Sequence, residues 1–252
     1  MKKLGTLPER LAHLKKPPVG LYFKGDTGLL EQKMVSIVGT RHPNQYTKSM
    51  TKQLAQGFAN IGYVVVSGAA MGVAAIAHDG AFPRTIAVMA NSLDIAYPAV
   101  NKKLIHRVYE DALALSEYEE NTRATKYSFV VRNRIVVALG DILIITQADE
   151  NSGTMRSAEI AIELGRPIYV LSHRVGESLG TQKLLNEGHA KLISDIDVFM
   201  EKFGKVELQD DMFAFFQTSP TLAESLKMHG DKIYEWELEG KIFIKNLRVS
   251  LS

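Results

Sequence analysis

From residue 34 the chain alternates short β-branched apolar runs with stretches whose apolar positions recur at helical spacing. VSIVG (35–39) reads as a strand apolar on both faces. Met50, Leu54 and Phe58 then mark one face of a helix from about Gln45 to Asn60. YVVVSG (63–68) is a second strand, MGVAAIAHDGAF (71–82) a helix, and TIAVMA (85–90) a third strand. A helix over about 99–112 leads to a short strand, LALSE (113–117). VVRNRIVVAL (130–139) is a helix, DILIITQ (141–147) a strand and TMRSAEIAIELG (154–165) a helix. RPIYVLS (166–172), TQKLLNEG (181–188) and AKLI (190–193) read as strand, helix and strand.

Strands that are apolar on both faces and separated by helices predict a mostly parallel sheet with helices on both faces. Right-handed crossovers make this a doubly wound, Rossmann-like α/β domain over residues 34–203. Residues 1–33 form an N-terminal extension leading into it. The tail, 204–252, has a different pattern. Phe203 to Gln209 reads as a linker, followed by an acidic, aromatic segment (LQDDMFAFF). The remainder reads as helix, helix and a two-stranded wing. A segment this short cannot bury a large core, so a small winged-helix-like module is expected.

Charge sharpens the picture. The 252 residues carry a formal net charge of +2, which excludes a uniformly basic nucleic-acid coat but leaves room for a local patch. Residues 121–134 (NTRATKYSFVVRNR) hold Arg123, Lys126, Arg132 and Arg134 and no acid. The segment 207–240 is acidic, with Lys227 and Lys232 as its bases. The chain has no Cys, which excludes disulfides, Cys-ligated zinc, iron–sulfur clusters and Cys nucleophiles. No run approaches the ~18 apolar residues of a membrane span. The basic start lacks the apolar core of a signal peptide, so a cytoplasmic protein is expected.

In doubly wound folds, ligands bind at the carboxyl ends of the strands. Four loops there carry candidate chemistry. VGTRHPNQYT (38–47) offers Gly39 for a tight turn and Arg41 for a phosphate. SGAAMG (67–72) places Gly68 and Gly72 beside a helix N-terminus, and that helix carries His78. NSLDIAYPAVN (91–101) holds Asp94. ENSGTMRS (150–157) opens a helix with Ser152, Gly153 and Thr154. Together they suit an anion or nucleotide. Each also has a plain structural reading: the glycines as turns, His78 as a packed residue, Asp94 as a loop cap, Phe129 as core. Arg132 and Arg134 lie two apart on a helix, so they point to different sides.

Several chemistries are unsupported. There is no P-loop, no dinucleotide glycine fingerprint, no nucleophile elbow and no cluster with metal-ligand spacing. No catalytic residue, metal or cofactor is therefore expected. Phe129 among Lys126, Arg132 and Arg134 suits single-stranded nucleic acid, with cations tracking phosphates and a ring stacking a base.

These motifs, in order, resemble the DNA-processing protein A family (DprA, also called Smf), from about Pro8 to Asp197. LKKPPVGLYFKGD (14–26) is similar to the family's lead-in, and VSIVGTR (35–41) to its glycine–serine/threonine–arginine turn. SGAAMGVAAIAH (67–78), LDIAYPAVN (93–101), FVVRNRIVVAL (129–139), SGTMRSAEIAIELGR (152–166) and GTQKLLNEGHA (180–190) resemble its later motifs. Met71 and Ala74 depart from it, standing where an arginine and an aspartate are usual. The resemblance implies a homodimer, formed through the Rossmann-like domain. Such a protein binds and protects single-stranded DNA and helps load a RecA-type recombinase in natural transformation. The implied DNA pocket comprises Gly39, Thr40, Arg41, Ser67, Gly68, Lys126, Phe129, Arg132, Asn133, Ser152, Gly153 and Thr154.

An enzymatic alternative stays open. The SGT loop also resembles the nucleotide loop of lysine-decarboxylase-like phosphoribohydrolases, P-G-G-x-G-T-x-x-E. Here Asp149, Glu150 and Asn151 stand at the P-G-G positions and Ser157 at the catalytic glutamate, which weighs against a hydrolase. The acidic tail is expected to contact protein rather than duplex DNA.

Overall fold

The computed structural model describes residues 2–204 and 215–251. The chain divides into two compact units, Met1–Phe199 and Met200–Ser252. Most of the acidic, aromatic segment of the tail lies outside the described residues, as does much of the linker read at 203–209.

The larger unit is built on a nine-stranded sheet. Its strands are β1 (Lys2–Lys3), β2 (Tyr22–Gly25), β3 (Met34–Val38), β4 (Val64–Gly68), β5 (Thr85–Val88), β6 (Leu113–Ser116), β7 (Ile142–Ile145), β8 (Ile168–Leu171) and β9 (Lys191–Ile193). The order across the sheet is β1-β2-β6-β5-β4-β3-β7-β8-β9. From β6 to β9 every pairing is parallel, in register such as Val35↔Val65 and Val35↔Ile142. Residues of β4, β5, β6 and β7 are buried throughout, as continuous apolar runs in a covered sheet must be.

The connecting helices are α1 (Gln45–Asn60), α2 (Val73–Ala81), α3 (Lys102–Asp111), α4 (Lys126–Leu139), α5 (Gly153–Glu163), α6 (Leu179–Asn186) and α7 (Ile196–Met200). α1 packs on α2, and α4 on α5. The chain builds outward from β3 in both directions. The right-handed crossovers β3→β4→β5→β6 run one way and put α1, α2 and α3 on one face, while those from β6 to β7, β8 and β9 run the other way and put α4, α5 and α6 on the opposite face. β3 lies between β4 and β7, so the loops leaving β3 and β7 diverge there and open a crevice at their carboxyl ends.

Two features differ from the sequence pattern. The residues before β3 add two antiparallel strands to the sheet edge, with Phe23 opposite Leu115 and Lys2 opposite Phe23. YFKG is short and half-exposed, with Lys24 and Gly25 interrupting it, so it carries little periodic signal. Buried Leu11, Leu14 and Leu21 anchor the segment. Helix α4 also starts four residues earlier than its apolar run. Thr125 and Ser128 form a reciprocal cap there, each side chain accepting from the other's backbone N–H.

The smaller unit, taken alone, has α8 (Leu222–His229), α9 (Lys232–Leu238) and a hairpin of β10 (Ile242–Lys245) and β11 (Arg248–Leu251). Phe216, Ile233, Ile242 and Val249 form its core. A Thr221–Glu224 capping box starts α8.

His78 of α2 is sealed in the larger core at 1% exposure. Its Nδ1 lies 2.7 Å from Thr85 Oγ1, and its Nε2 lies 3.2 Å from the Gly68 carbonyl. Burial first, and then the Arg132 charge, lowers its pKa from 6.5 to about 4, against the opposing pull of the Gly68 carbonyl. The unfolded chain therefore binds this proton at a higher pH than the native one. Its contribution to stability is intact above 6.5 and lost as pH falls toward 4. Denaturant titrations of wild type and His78→Gln should diverge by ~2 kcal/mol in their change between pH 7.5 and 5. Equal pH dependence of the two proteins would refute a buried neutral imidazole.

Candidate functional site

The crevice beside β3 encloses about 720 Å³. Every residue singled out above as an implied pocket member lines it. The β3 end supplies Gly39, Thr40 and Arg41, and the β4 end Ser67 and Gly68. Helix α4 supplies Lys126, Phe129, Arg132 and Asn133. The start of α5 supplies Ser152, Gly153 and Thr154. The early start of α4 makes this possible, because residues 126, 129 and 133 then share one helical face.

Phe129 is the centre of the aromatic part. It is half-buried. The Arg41 guanidinium lies 5.0 Å from its ring centroid and that of Arg132 5.9 Å. Tyr97 stands 6.2 Å away, tilted by 50°, and is 46% exposed. Tyr97 stands outside the expected pocket set, and its one sequence signal is an aromatic next to Pro98 in the strand-end loop NSLDIAYPAVN.

Arg132 is the unusual residue. It is 4% exposed, yet no carboxylate pairs with it among the described residues. Its Nη1 donates to the Val88 carbonyl and its Nε to Asn133 Oδ1 at 3.2 Å. A Cβ on Gly68 would overlap its guanidinium, so a larger residue there would push Arg132 out of this seat. Burial, and next the like charge of Arg41, holds its pKa down to about 10, leaving it cationic at neutral pH. Arg134, two residues on, points elsewhere as the helical phase requires. It donates to Glu117 at 2.7 Å and to the Lys16 carbonyl at 2.8 Å.

The polar floor is divided between occupied and open groups. The Ser67 hydroxyl donates to the Ile37 carbonyl at 2.6 Å, so its role is to hold β3 to β4. Asn133 Nδ2 reaches the Gly153 carbonyl at 3.4 Å. At the start of α5, Ser152 Oγ and Ser157 Oγ have no hydrogen-bond partner among the described residues. A helix start with spare hydroxyls favours an anion. Gly72 has φ +75°, and a Cβ there would meet the Thr40 and Arg41 carbonyls at 2.5 Å. This close approach seats the Arg41 turn on α2, where the Val73 N–H donates to the Thr40 carbonyl at 3.1 Å.

Two other candidates lie outside this crevice. His78 is buried behind Gly68. Asp94 accepts from the Asn121 N–H at 3.1 Å and holds its loop. Among the described residues lining the crevice there is no Asp or Glu. Nor do three His, Asp or Glu residues gather anywhere in the described residues as a metal site. No described helix is long and apolar enough to cross a membrane.

Residues 3–204 match the protein family described as DNA recombination-mediator protein A. DNA processing protein DprA of Streptococcus pneumoniae is 34% identical over 199 residues, covering 77% of this chain and 70% of that protein. Its Bacillus subtilis counterpart is 32% identical over 200 residues, covering 77% and 67%. Protein Smf of a Synechocystis species is 31% identical over 212 residues, covering 81% of this chain but 53% of its own length. Among solved structures, DNA processing protein A from Helicobacter pylori superposes with TM-score 0.79 and 44% identity, covering 80% of this chain and 94% of that one. That structure was described for its single-stranded DNA binding mode. The S. pneumoniae structure gives TM-score 0.73 at 32% identity, covering 81% and 72%.

The two arginines of α4 should respond oppositely to removal. Arg132→Met removes an uncompensated buried charge, so stability should stay within about 1 kcal/mol of wild type or rise. Arg134→Met strands Glu117, which is 16% exposed, and should cost roughly 2 kcal/mol. Chemical denaturation of both variants checks this. A larger loss for Arg132→Met than for Arg134→Met contradicts it.

Proposed function

The chain belongs to the DNA recombination-mediator protein A family, and on that premise we propose that it binds single-stranded DNA without sequence preference. It shields the strand and presents it to a RecA-type recombinase during natural transformation, acting as a homodimer in the cytoplasm. The observation that carries this reading is Arg132: a buried guanidinium with no carboxylate partner among the described residues, opening on a crevice beside a half-buried phenylalanine. A cation so placed lacks its counter-charge, and a phosphate supplies it. The H. pylori relative, studied for single-stranded DNA binding, supports the same ligand.

The mechanism follows from the parts. Arg41 and Lys126, both exposed, meet the strand first and hold its backbone. Phe129 offers a face to a base, with Tyr97 as its neighbour. Arg132 and the start of α5, with Ser152, Gly153 and Thr154, take a phosphate deeper in the crevice. Phosphates and π-faces are common to all nucleotides, so binding is independent of sequence. A phosphoribohydrolase-like reaction has less support, since no Asp or Glu to act as acid or base is among the described residues that line the crevice. The acidic C-terminal unit, with its winged-helix-like order of elements, repels phosphate and is assigned to protein contacts. Duplex binding by the full chain should therefore not weaken when the chain is cut after residue 204.

Fluorescence anisotropy with labelled oligo-dT of ~30 nucleotides tests the crevice. Arg41→Ala should lower the slope of log affinity against log salt by about 0.7, one phosphate contact on a single strand. Phe129→Ala should lose ~1–3 kcal/mol of affinity with little change in slope. Single-strand affinity untouched by both changes, or equal to duplex affinity, would discard the reading.

A further inference from the structure

A second concave surface lies outside the crevice, and none of its cations is used there. α1 and α3 flank α2 and enclose a groove of about 710 Å³. Lys48 and Lys52 of α1 face Lys103 and Arg107 of α3 across a floor that includes Ala75 and Ile76. We propose that this groove binds a further stretch of phosphate backbone of the same single-stranded DNA that occupies the crevice. The inference rests on the single-strand reading of the crevice given above.

Spacing is the first argument. On α1 the groove-lining positions are 45, 48, 49 and 52, and on α3 and the turn before it 100, 103, 104 and 107, with Asn101 beside them in that turn. Both sets follow the i, i+3, i+4, i+7 rule, so each helix turns one whole stripe into the groove. Each pair of cations is four residues apart, ~6 Å along its helix axis. Two parallel rows of positive charge thus line one channel.

Charge is the second argument. Asp79 is the one carboxylate among the lining residues, and it already pairs with Arg107 at 3.5 Å. The three lysines have no ion-pair partner among the described residues. A solvated face usually mixes both signs. α1 has no acid along its whole length.

Placement against the helix dipole is the third. Lys48 stands in the first turn of α1, and Lys102 and Lys103 open α3. Neither first turn holds an acid. The positive end of a helix dipole disfavours cations, so these positions work against helix stability. An anion lying in the groove reverses that sign, meeting the lysines and both dipole ends together.

Continuity is the fourth. Asn101 of the groove donates through Nδ2 to the carbonyls of Ala69 and Ala70, at 3.1 and 3.0 Å. Ala70 lines the crevice. Ala74 lines the crevice while its neighbour Ala75 floors the groove. A strand leaving the crevice past Tyr97 therefore has a cationic path over one shared wall. An acidic peptide would match the charge, but nothing would explain the junction with the crevice.

The test uses the full chain and two labelled oligo-dT strands, one of about six nucleotides and one of about thirty. The triple variant Lys48→Gln, Lys52→Gln, Lys103→Gln is compared with wild type. The short strand should bind both proteins equally, which also reports that the variant is folded. The long strand should lose about tenfold or more in affinity, and its salt slope should fall by about 2, three contacts at ~0.7 each. An unchanged long-strand affinity overturns the proposal, as does an equal loss for both lengths, which would signal a diffuse field. Loss of poly-glutamate binding with long-strand binding intact would assign the groove to acidic protein and overturn it too. Failure of the crevice reading looks different: wild type then binds neither strand, and the groove proposal falls with it.

Discussion

A guanidinium sealed among strand ends, with no carboxylate beside it among the described residues, is held there by the structure around it. Arg132 keeps its place through the Val88 carbonyl, the Asn133 amide and the bare backbone of Gly68. These contacts join the ends of β4 and β5 to the middle of α4. The same residues then fix their neighbours. Gly68 lends its carbonyl to His78, and Ser67 ties β4 to β3. Buried charge without a partner is unfavourable for folding, and it persists here where it faces an open crevice. The architecture of the site follows from accommodating that one charge.

The rest of the unit supplies rigidity in layers. The buried parallel strands leave no freedom in where their carboxyl ends fall, so the four loops converge reproducibly. Arg41, exposed and lodged over Phe129, sits on a turn held by Gly72 and α2. Exposed cations on fixed supports can meet a flexible polyanion without ordering a loop first. The same logic extends to α1 and α3. Their cations stand on helices whose buried faces are already committed to the core, including Leu54, Phe58, Ile105 and Val108.

The smaller unit has its own core around Phe216 and Ile233 and its own helix cap at Thr221. Its charge has the opposite sign to that of the crevice. One chain thus carries two units of opposite electrostatic character.

The sequence by itself determined the α/β order, the strand-end loops and the main crevice residues. Burial of parallel strands forces continuous apolar runs, and helix periodicity marks the connections, so both leave local signals. Even the divergence of Arg132 from Arg134 is legible, because helical phase depends only on spacing. Other features were decided by tertiary structure. The edge strand Tyr22–Gly25 is defined by the partner it pairs with rather than by its own pattern. Tyr97 gains its place beside Phe129 only when two loops meet. Whether Arg132 is paired or alone depends on residues far away in sequence. The two rows of lysines and Arg107 lie some fifty residues apart and form one channel only because α2 brings α1 and α3 together. Local periodicity records what each segment buries; a charge's partner, or its lack of one, is set by contacts that no local pattern encodes.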